Sequence, residues 1–384
     1  MGLHFSKEEF STRKTKVIQL MKEQNIDALL MFRQESMYWL TGYDTFGYVF
    51  FQSLVLDQKG NIILLTRAPD LRQAENTSNI ENIRIWIDKD GSNPTNDLKE
   101  ILNELNLKGK NLGVEYDAYG LTGKNTLMLN KSLKNYCSVE DKSELISKLR
   151  VIKSKEEIVY VKKAAELADN ALDQVWKYAK AGVSESKILA EMNKVIFEGG
   201  GDYPANEFII GSGPSALLVR YHAGKRHLDK DDQLTLEFSG AYMHYHAAMM
   251  RTLLVGKANP EHVSMHQICR DALEACMSAV KPGESMGTVY SEHSKVMDNA
   301  GYHEHRMRAC GYGMGAVYNP LWVDPPMFYE GNPLEMKVGH VYFLHMILAN
   351  SDRNLAMTLG QSVLVTDTGC ENLSRSPLDL VINR

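Results

Sequence analysis

Paired histidines on an apolar strand raise the first chemical question. The segment LTLEFSGAYMHYHAAMMRTLLVG (Leu234–Gly256) has the pattern of a β-hairpin turning near Ser239–Ala241. Side chains two apart share a strand face, so His244, His246, Ala248 and Met250 are expected to project together. Two imidazoles on one face can bind a metal or exchange protons. They can equally be satisfied histidines on a partly exposed face, and both readings stand. In the first strand Leu234, Leu236 and Phe238 alternate with Gln233, Thr235 and Glu237, which alone predicts that Glu237 faces solvent. His345 differs. Val341–Leu348 is apolar on both faces apart from this residue, so its imidazole is expected to be buried, tied to a polar partner or held for function. Arg220, Lys225, Arg226 and Arg251 bring positive charge near the hairpin, as surface solvation or as an anchor for a substrate carboxylate.

Other chemistry is excluded by missing spacing. The glycine cluster Cys310–Gly315 lacks the GxGxxG pattern and its βαβ context, so close backbone packing explains it better than a dinucleotide. GxxxxGK[ST], HExxH and GxSxG do not occur. The five cysteines are odd in number, scattered and without a CxxC pair, which indicates neither a zinc site nor a disulfide framework and suits a reducing cytoplasm.

The elements that must position these residues fall into two groups. In the first 150 residues strand and helix signals alternate: a helix at Phe10–Gln24, strands at Asp27–Phe32, Gly47–Leu56, Asn61–Thr66, Ile83–Ile87 and Asn111–Glu115, and helices at Asn96–Leu105 and Gly123–Leu133. That alternation predicts an α/β domain over 1–150. From Val151 onward the pattern changes. Lys155–Lys180 and Ser184–Glu198 read as helices, the second stopped by three glycines, and strands follow at Glu207–Gly211, Gln233–Ser239 and Ala241–Val255. Helices near Val263–Val280 and Met286–Ala300 precede strands at Val341–Leu348 and Ala356–Thr366. Helices on a mostly antiparallel sheet predict an α+β domain over 151–384.

The whole chain of 384 residues has 44% hydrophobic and 24% charged residues, an ordinary globular balance. A net charge of −5 argues against a nucleic-acid partner. No apolar stretch is long enough to span a bilayer, and the acidic residues of MGLHFSKEEF argue against an export signal. Of the 12 histidines, all but His4 lie at or beyond His222.

Taken together, these motifs resemble the creatinase, aminopeptidase P and prolidase superfamily. The resemblance runs through YWLTGYDTFGY (Tyr38–Tyr48), VIKSKEEI (Val151–Ile158), the hairpin ending MMRTLLVG and VTDTGCENLS (Val365–Ser374). It implies a creatinase-type α/β N-terminal domain and a pita-bread catalytic domain. Peptidases of this superfamily hold two metal ions with Asp, Asp, His, Glu and Glu. Matching motif by motif, those ligands fall on Glu237, Ala248, Tyr312, His345 and Gln361. One carboxylate of five survives, so the resemblance implies no metal and no cofactor. The peptidases' substrate-binding histidine aligns near Arg220–His222, with Arg220 at the strict spacing.

The metal-free branch, creatinase and the ectoine hydrolases, is most similar, through GGDYPANEF (Gly200–Phe208), Glu237 with His246, the Gly-Tyr-x-x-Gly of Gly311–Gly315 and His345–Met346. The implied function is a metal-independent hydrolase of a non-peptide C–N bond in a small zwitterionic solute, ectoine-like or creatine-like. Glu237, His345, His246 and Tyr312 are the implied catalytic residues. Arg220, His222, Tyr43, Asp44, Phe46, His244, Trp322 and Gln361 are the implied substrate-binding residues. A homodimer is implied, with the partner's N-terminal domain closing the pocket. The alternatives are a lyase of dimethylsulfoniopropionate, a relative that keeps its metal ligands, an Xaa-Pro peptidase homologue that lost its metals, and a pita-bread protein that only binds.

Overall fold

Ala28-Leu-Leu-Met31 is apolar at every position, which suits a strand covered on both faces. The computed structural model, which describes residues 2–221 and 224–384, places it at the centre of the first unit. Contacts divide the chain into Met1–Arg150 and Val151–Arg384. In the first, β1 (Ala28–Met31), β2 (Ser53–Asp57), β3 (Ile62–Arg67), β4 (Asn82–Trp86), β5 (Asn111–Val114) and β6 (Ser138–Asp141) form one sheet in the order β4-β3-β2-β1-β5-β6. The helices are α1 (Lys7–Glu23), α2 (Gln34–Thr41), α3 (Leu71–Thr77), α4 (Pro94–Glu104), α5 (Gly123–Leu133) and α6 (Glu144–Arg150). Alternation along β1 sorts the core. Ala28 and Leu30 pack with Leu98, Ile101 and Leu129 on one face, and Leu29 and Met31 pack with Val17, Met21 and Leu145 on the other. The strand expected over Gly47–Leu56 starts only at Ser53. Gly47–Val49 is a 3-10 turn, held where Thr45 Oγ1 accepts from the Gly47 N–H at 2.8 Å and donates to Asp70 at 2.7 Å.

The second unit opens with α7 (Lys155–Tyr178), whose start is fixed by reciprocal bonds between Ser154 and Glu157, followed by α8 (Glu185–Glu198). Its strands are β7 (Ile209–Ser212), β8 (Asp232–Tyr242), β9 (Tyr245–Val255), β10 (Ala309–Gly313), β11 (Asp324–Tyr329), β12 (Val341–Asn350), β13 (Leu355–Thr366), β14 (Gly369–Asn372) and β15 (Val381–Asn383). Between β9 and β10 lie α9 (Pro260–Ala279) and α10 (Met286–Asn299). The main path of the sheet runs β11-β10-β12-β13-β9-β8-β7. Among the described residues no helix is long and apolar enough to cross a membrane.

The hairpin corrects one expectation. β8 continues through Ser239–Ala241, and the turn falls on Met243–His244, whose φ angles of +49° and +62° give the left-handed pair that a two-residue hairpin turn requires. Gly240 is inside the strand because α7 crosses there, and a Cβ would stand 2.0 Å from the Ala164 carbonyl oxygen. His244 therefore does not share a strand face with His246. The 310–315 glycines are likewise a packing device. Gly311 lies in β10 with its missing Cβ 2.3 Å from the Phe343 carbonyl oxygen.

Parity along β12 and β13 decides what the sheet presents to each side. Tyr342, Leu344, Met346 and Leu348, with Met357, Leu359, Val363 and Val365, pack against α9 and α10 residues such as Cys269, Leu273, Val289 and Tyr290. The intervening residues Phe343, His345, Ile347 and Gly360 are left for the opposite face.

Candidate active site

Backbone register brings a row of side chains across that face. Ile209 pairs with Glu237, Glu237 with Met250, Met250 with Gly360 and Gly360 with His345, across β7, β8, β9, β13 and β12. Directly opposed residues share a face, so Glu237 and His345 stand at two ends of a floor made by Met250 and Gly360. Tyr312 enters from β10, opposite Phe343. In a flat sheet β10 and β8 would lie about 19 Å apart, four strand spacings. Yet the Tyr312 hydroxyl donates to Glu237 Oε1 at 3.1 Å. The sheet must curl strongly, and the row lies on its concave side. A cavity of about 300 Å³ opens there, lined on its polar side by Asn206, Arg220, Glu237, Arg308, Tyr312 and His345. Trp322 and aliphatic or methionine side chains, Met250, Met307 and Met327 among them, complete its wall.

Hydrogen-bond inventory assigns the protons. Trp322 Nε1–H donates to the Tyr312 oxygen at 2.9 Å, so the single Tyr312 proton goes to Glu237. Glu237 Oε2 has no protein partner among the described residues. Burial raises the Glu237 carboxyl to about 7, against the Tyr312 hydrogen bond and the Arg220 charge, which lower it. Tyr312 is raised well above its ordinary value, first by burial and then by the Glu237 charge. His345 is lowered to about 4 by burial, so its ring is neutral at pH 7. Among the described residues its Nδ1 has no partner, while its ring leans on Tyr312 and Phe343 at centroid distances of 5.7 and 5.6 Å. A carboxyl displaced upward and an imidazole displaced downward line one cavity, an arrangement able to exchange protons with a ligand held between them.

The other residues singled out from the sequence lie elsewhere. His246 is fully buried with both ring nitrogens engaged: Nε2 accepts from the Ala205 N–H at 2.9 Å and Nδ1 donates to the His244 carbonyl at 2.8 Å. Burial lowers it to about 4. It ties the 202–206 segment to the hairpin end, a bond reinforced by His244 N–H to Asp202 at 3.0 Å, and so presents Asn206 to the cavity. His244 stacks on Tyr318 at 4.3 Å. Gln361 faces the helices, with Nε2 3.4 Å from Met277 Sδ and a partnerless buried Oε1, because its parity on β13 is that of Leu359 and Val363. Its neighbour Gly360 holds the cavity-facing position. Arg251 is buried beneath the floor, donating to the carbonyls of Met250 and Gly360 at 2.8 and 2.7 Å, and Arg226 pairs with Asp229 and Asp232. Of the four cations named from the sequence, only Arg220 lines the cavity. His222 lies outside the described residues. In the first unit, Tyr43 is buried and donates to Gln52 at 3.1 Å, Asp44 is partly buried, and Phe46 is 83% exposed. Arg308 and Asn206 were not singled out as site residues, since a cation before a strand and an amide in a loop carry no periodic signal.

Residues 160–367 match the model of metallopeptidase family M24, and residues 13–152 match the creatinase/prolidase N-terminal domain. The chain belongs to family M24. The second unit has the pita-bread architecture of that family, and the first is its α/β N-terminal domain. Among relatives, the ectoine hydrolase of Halomonas elongata is 27% identical over 399 residues, covering 100% of this chain and 99% of its own. The Xaa-Pro dipeptidase of Pyrococcus horikoshii is 22% identical, covering 95% and 97%. Among solved structures, a prolidase from Thermococcus sibiricus superimposes with TM-score 0.86 at 22% identity, over 97% and 99% of the chains. An Xaa-Pro dipeptidase from Bacillus anthracis gives 0.85 at 20%, over the same shares. At these identities the structures speak for the fold alone.

The family name raises the question of metal. The donors present do not fit a dinuclear cluster. Among the described residues no group of three or more His, Cys, Asp or Glu side chains could hold an ion. Glu237 and His345 face the cavity from opposite ends of its floor, and His246 has no free nitrogen with which to complete a set. A side chain at Gly360 would start 2.6 Å from the Leu344 carbonyl oxygen and 3.1 Å from the His345 Cα.

Proposed function

We propose that this M24 protein is a metal-independent hydrolase that opens the C–N bond of a small amidine or guanidino zwitterion, with ectoine the favoured substrate. The observation that carries this reading is the cavity itself. It holds one carboxylate, one neutral imidazole without a protein partner on Nδ1 and a tyrosine gripping the carboxylate, within largely apolar walls. An amidinium is planar and cationic, and Glu237 Oε2 is free to accept its N–H. Arg220 at the rim meets the substrate carboxylate, and the methionine and aliphatic walls meet the ring carbons.

The reaction follows from these positions. His345 takes a proton from water as the water oxygen bonds to the amidinium carbon. The C–N bond then breaks as the proton passes from His345 to the departing nitrogen, and the proton left on the new oxygen follows it through His345, so the amide is neutral and the nitrogen leaves as an ammonium. An amidinium and water become a neutral amide and an ammonium, so atoms and charge balance. Glu237, held by Tyr312, stays beside the carbon and follows its charge as it changes. The likeness to an ectoine hydrolase over the full chain supports the substrate class.

We place the reaction in the cytoplasm, as catabolism of a compatible solute, in a homodimer whose partner covers the cavity mouth. All five cysteines are unbonded, in keeping with a reducing compartment. Of the N-terminal residues assigned to that cover, Phe46 has the exposure for it, while Tyr43 is committed to its own core. Light scattering should then give twice the chain mass.

The test is ring opening of ectoine by chelator-treated protein, followed by NMR, with creatine and Xaa-Pro dipeptides as competitors. Glu237→Gln should lower turnover by about 10²–10⁴-fold. Turnover that needs added metal, or a Glu237→Gln variant as active as wild type, would overturn the reading. A covalent adduct on Glu237 after acid quench would move the attack from water to that carboxylate.

A further inference from the structure

Arg220 is carried into the cavity by the connection between β7 and β8, and both ends of the segment from Ser212 to Gly224 meet at one buried carboxylate. Glu185, fully buried in the first turn of α8, accepts from the Ser212 N–H at 2.7 Å and the Ser212 hydroxyl at 2.6 Å through Oε1. Its Oε2 accepts from the Gly224 N–H at 3.0 Å. Around this point Arg226 donates to Ser212 Oγ at 2.7 Å, the Glu185 N–H donates to the Arg226 carbonyl at 3.0 Å and Ser186 Oγ donates to the Gly224 carbonyl at 2.8 Å. From β7, the Ile210 N–H donates to the Tyr221 carbonyl at 3.2 Å, next to Arg220.

We propose that Glu185 is a positioning residue: its carboxylate staples the two ends of the Ser212–Gly224 loop and thereby sets where Arg220 stands over the cavity. The consequence for substrate rests on the amidine reading above. Glu185 governs the grip on the substrate carboxylate and leaves the bond-breaking step alone. A carboxylate is required because both oxygens accept. In Glu185→Gln one end of the amide becomes a donor facing a donor, so one end of the loop is released.

The first arm of the test needs no substrate. Trypsin acts on full-length native protein, and mass spectrometry reads cleavage at the Arg220–Tyr221 bond. Glu185→Gln should accelerate that cut at least tenfold relative to cuts in the first unit. Ser212→Ala, which removes the hydroxyl's bonds to Glu185 and Arg226 and leaves both backbone N–H bonds to Glu185, should give a smaller increase and serves if Glu185→Gln does not fold. Unchanged cleavage in both variants overturns the staple. The second arm compares substrate with its decarboxylated analogue. Glu185→Gln should raise KM at least tenfold for the first, leave it for the second and keep kcat within twofold, and in an Arg220→Ala background it should have no further effect. Equal losses on both compounds, or additive losses in the double variant, overturn the role through Arg220. If no amidine is turned over while the trypsin result holds, the proposed function fails and the staple stands.

Discussion

The hairpin end around His246 and the middle of β12 around His345 hold two imidazoles that are alike in most respects. Both are buried, both lie on strands of one sheet, and burial lowers both to about 4. They differ in their partners. His246 spends both nitrogens on the backbone of Ala205 and His244, whereas His345 Nδ1 has none and its ring borders a cavity. A buried polar atom without a partner costs free energy, and a protein that keeps one beside a cavity has left it for a ligand or a proton. The contrast separates an imidazole committed to the backbone from one that borders the cavity, which is the basis for the role proposed for His345.

Replacing each ring by phenylalanine should break the comparison most widely. His345→Phe keeps the packing on Tyr312 and Phe343 and removes the nitrogens, so turnover should fall by about 10²–10⁴-fold with the melting temperature unchanged or slightly higher. His246→Phe orphans the Ala205 N–H, while the His244 carbonyl keeps the Val317 N–H at 3.1 Å. This variant should lose about 1–3 kcal/mol of stability while folded protein retains most of its turnover. Calorimetry and initial rates on the two variants check both halves. Equal losses of stability would erase the distinction.

The next effect concerns Glu237 and Tyr312. Because the Glu237 carboxyl is raised to about 7, its ionised form grows as pH rises through that value, and kcat/KM for an amidinium substrate should climb with it. Tyr312 opposes the raising by donating to the carboxylate. Tyr312→Phe should therefore move the climb to higher pH, with a rate loss of about tenfold at pH 7 for each unit of movement. A pH profile that does not move would detach Tyr312 from Glu237.

Stability against pH sharpens the histidine contrast further. Both imidazoles are lowered in the folded state, so each contributes stability that is present above its unfolded value near 6.5 and lost as pH falls toward about 4. Wild type must lose stability over that window. Each phenylalanine variant should lose less, by about one proton in slope. His246→Phe, weaker at pH 7.5, should close on wild type as pH falls, while His345→Phe should move ahead of it. Urea denaturation at pH 7.5 and 5 measures both.

How far the sequence could carry these assignments depended on the kind of signal. Long helices with periodic apolar faces, such as α5 and α8, were legible almost to the residue. The hairpin turn was not. Gly240 carried the sign of a turn and served instead the crossing of α7, while Met243 and His244 adopted the left-handed pair without glycine. Glu237 shows the limit of alternation. Its strand is buried on both faces, so the polar side of a two-residue pattern turned out to be the concave face of a curled sheet and not solvent. His345 was visible as a polar exception in an apolar run. The bonds that retire His246 come from Ala205, far away in sequence, and no local pattern holds that information.

Gln361 gives the smallest expected effect and the finest test of register. Motif matching put a ligand position there, but β13 pairs Gly360 with His345 and Met250, which forces Gln361 toward α9. Its Oε1 is buried without a partner, so the amide carries a desolvation cost that hydrogen bonding does not offset. Gln361→Leu keeps the volume close and removes that atom. Stability should stay level or rise by about 1 kcal/mol, and KM and kcat should not change. A tenfold loss of activity with intact stability would mean that Gln361 faces the cavity. The whole row from Glu237 to His345 would then be out of register by one residue, since slipping a strand by one turns every side chain to the other face.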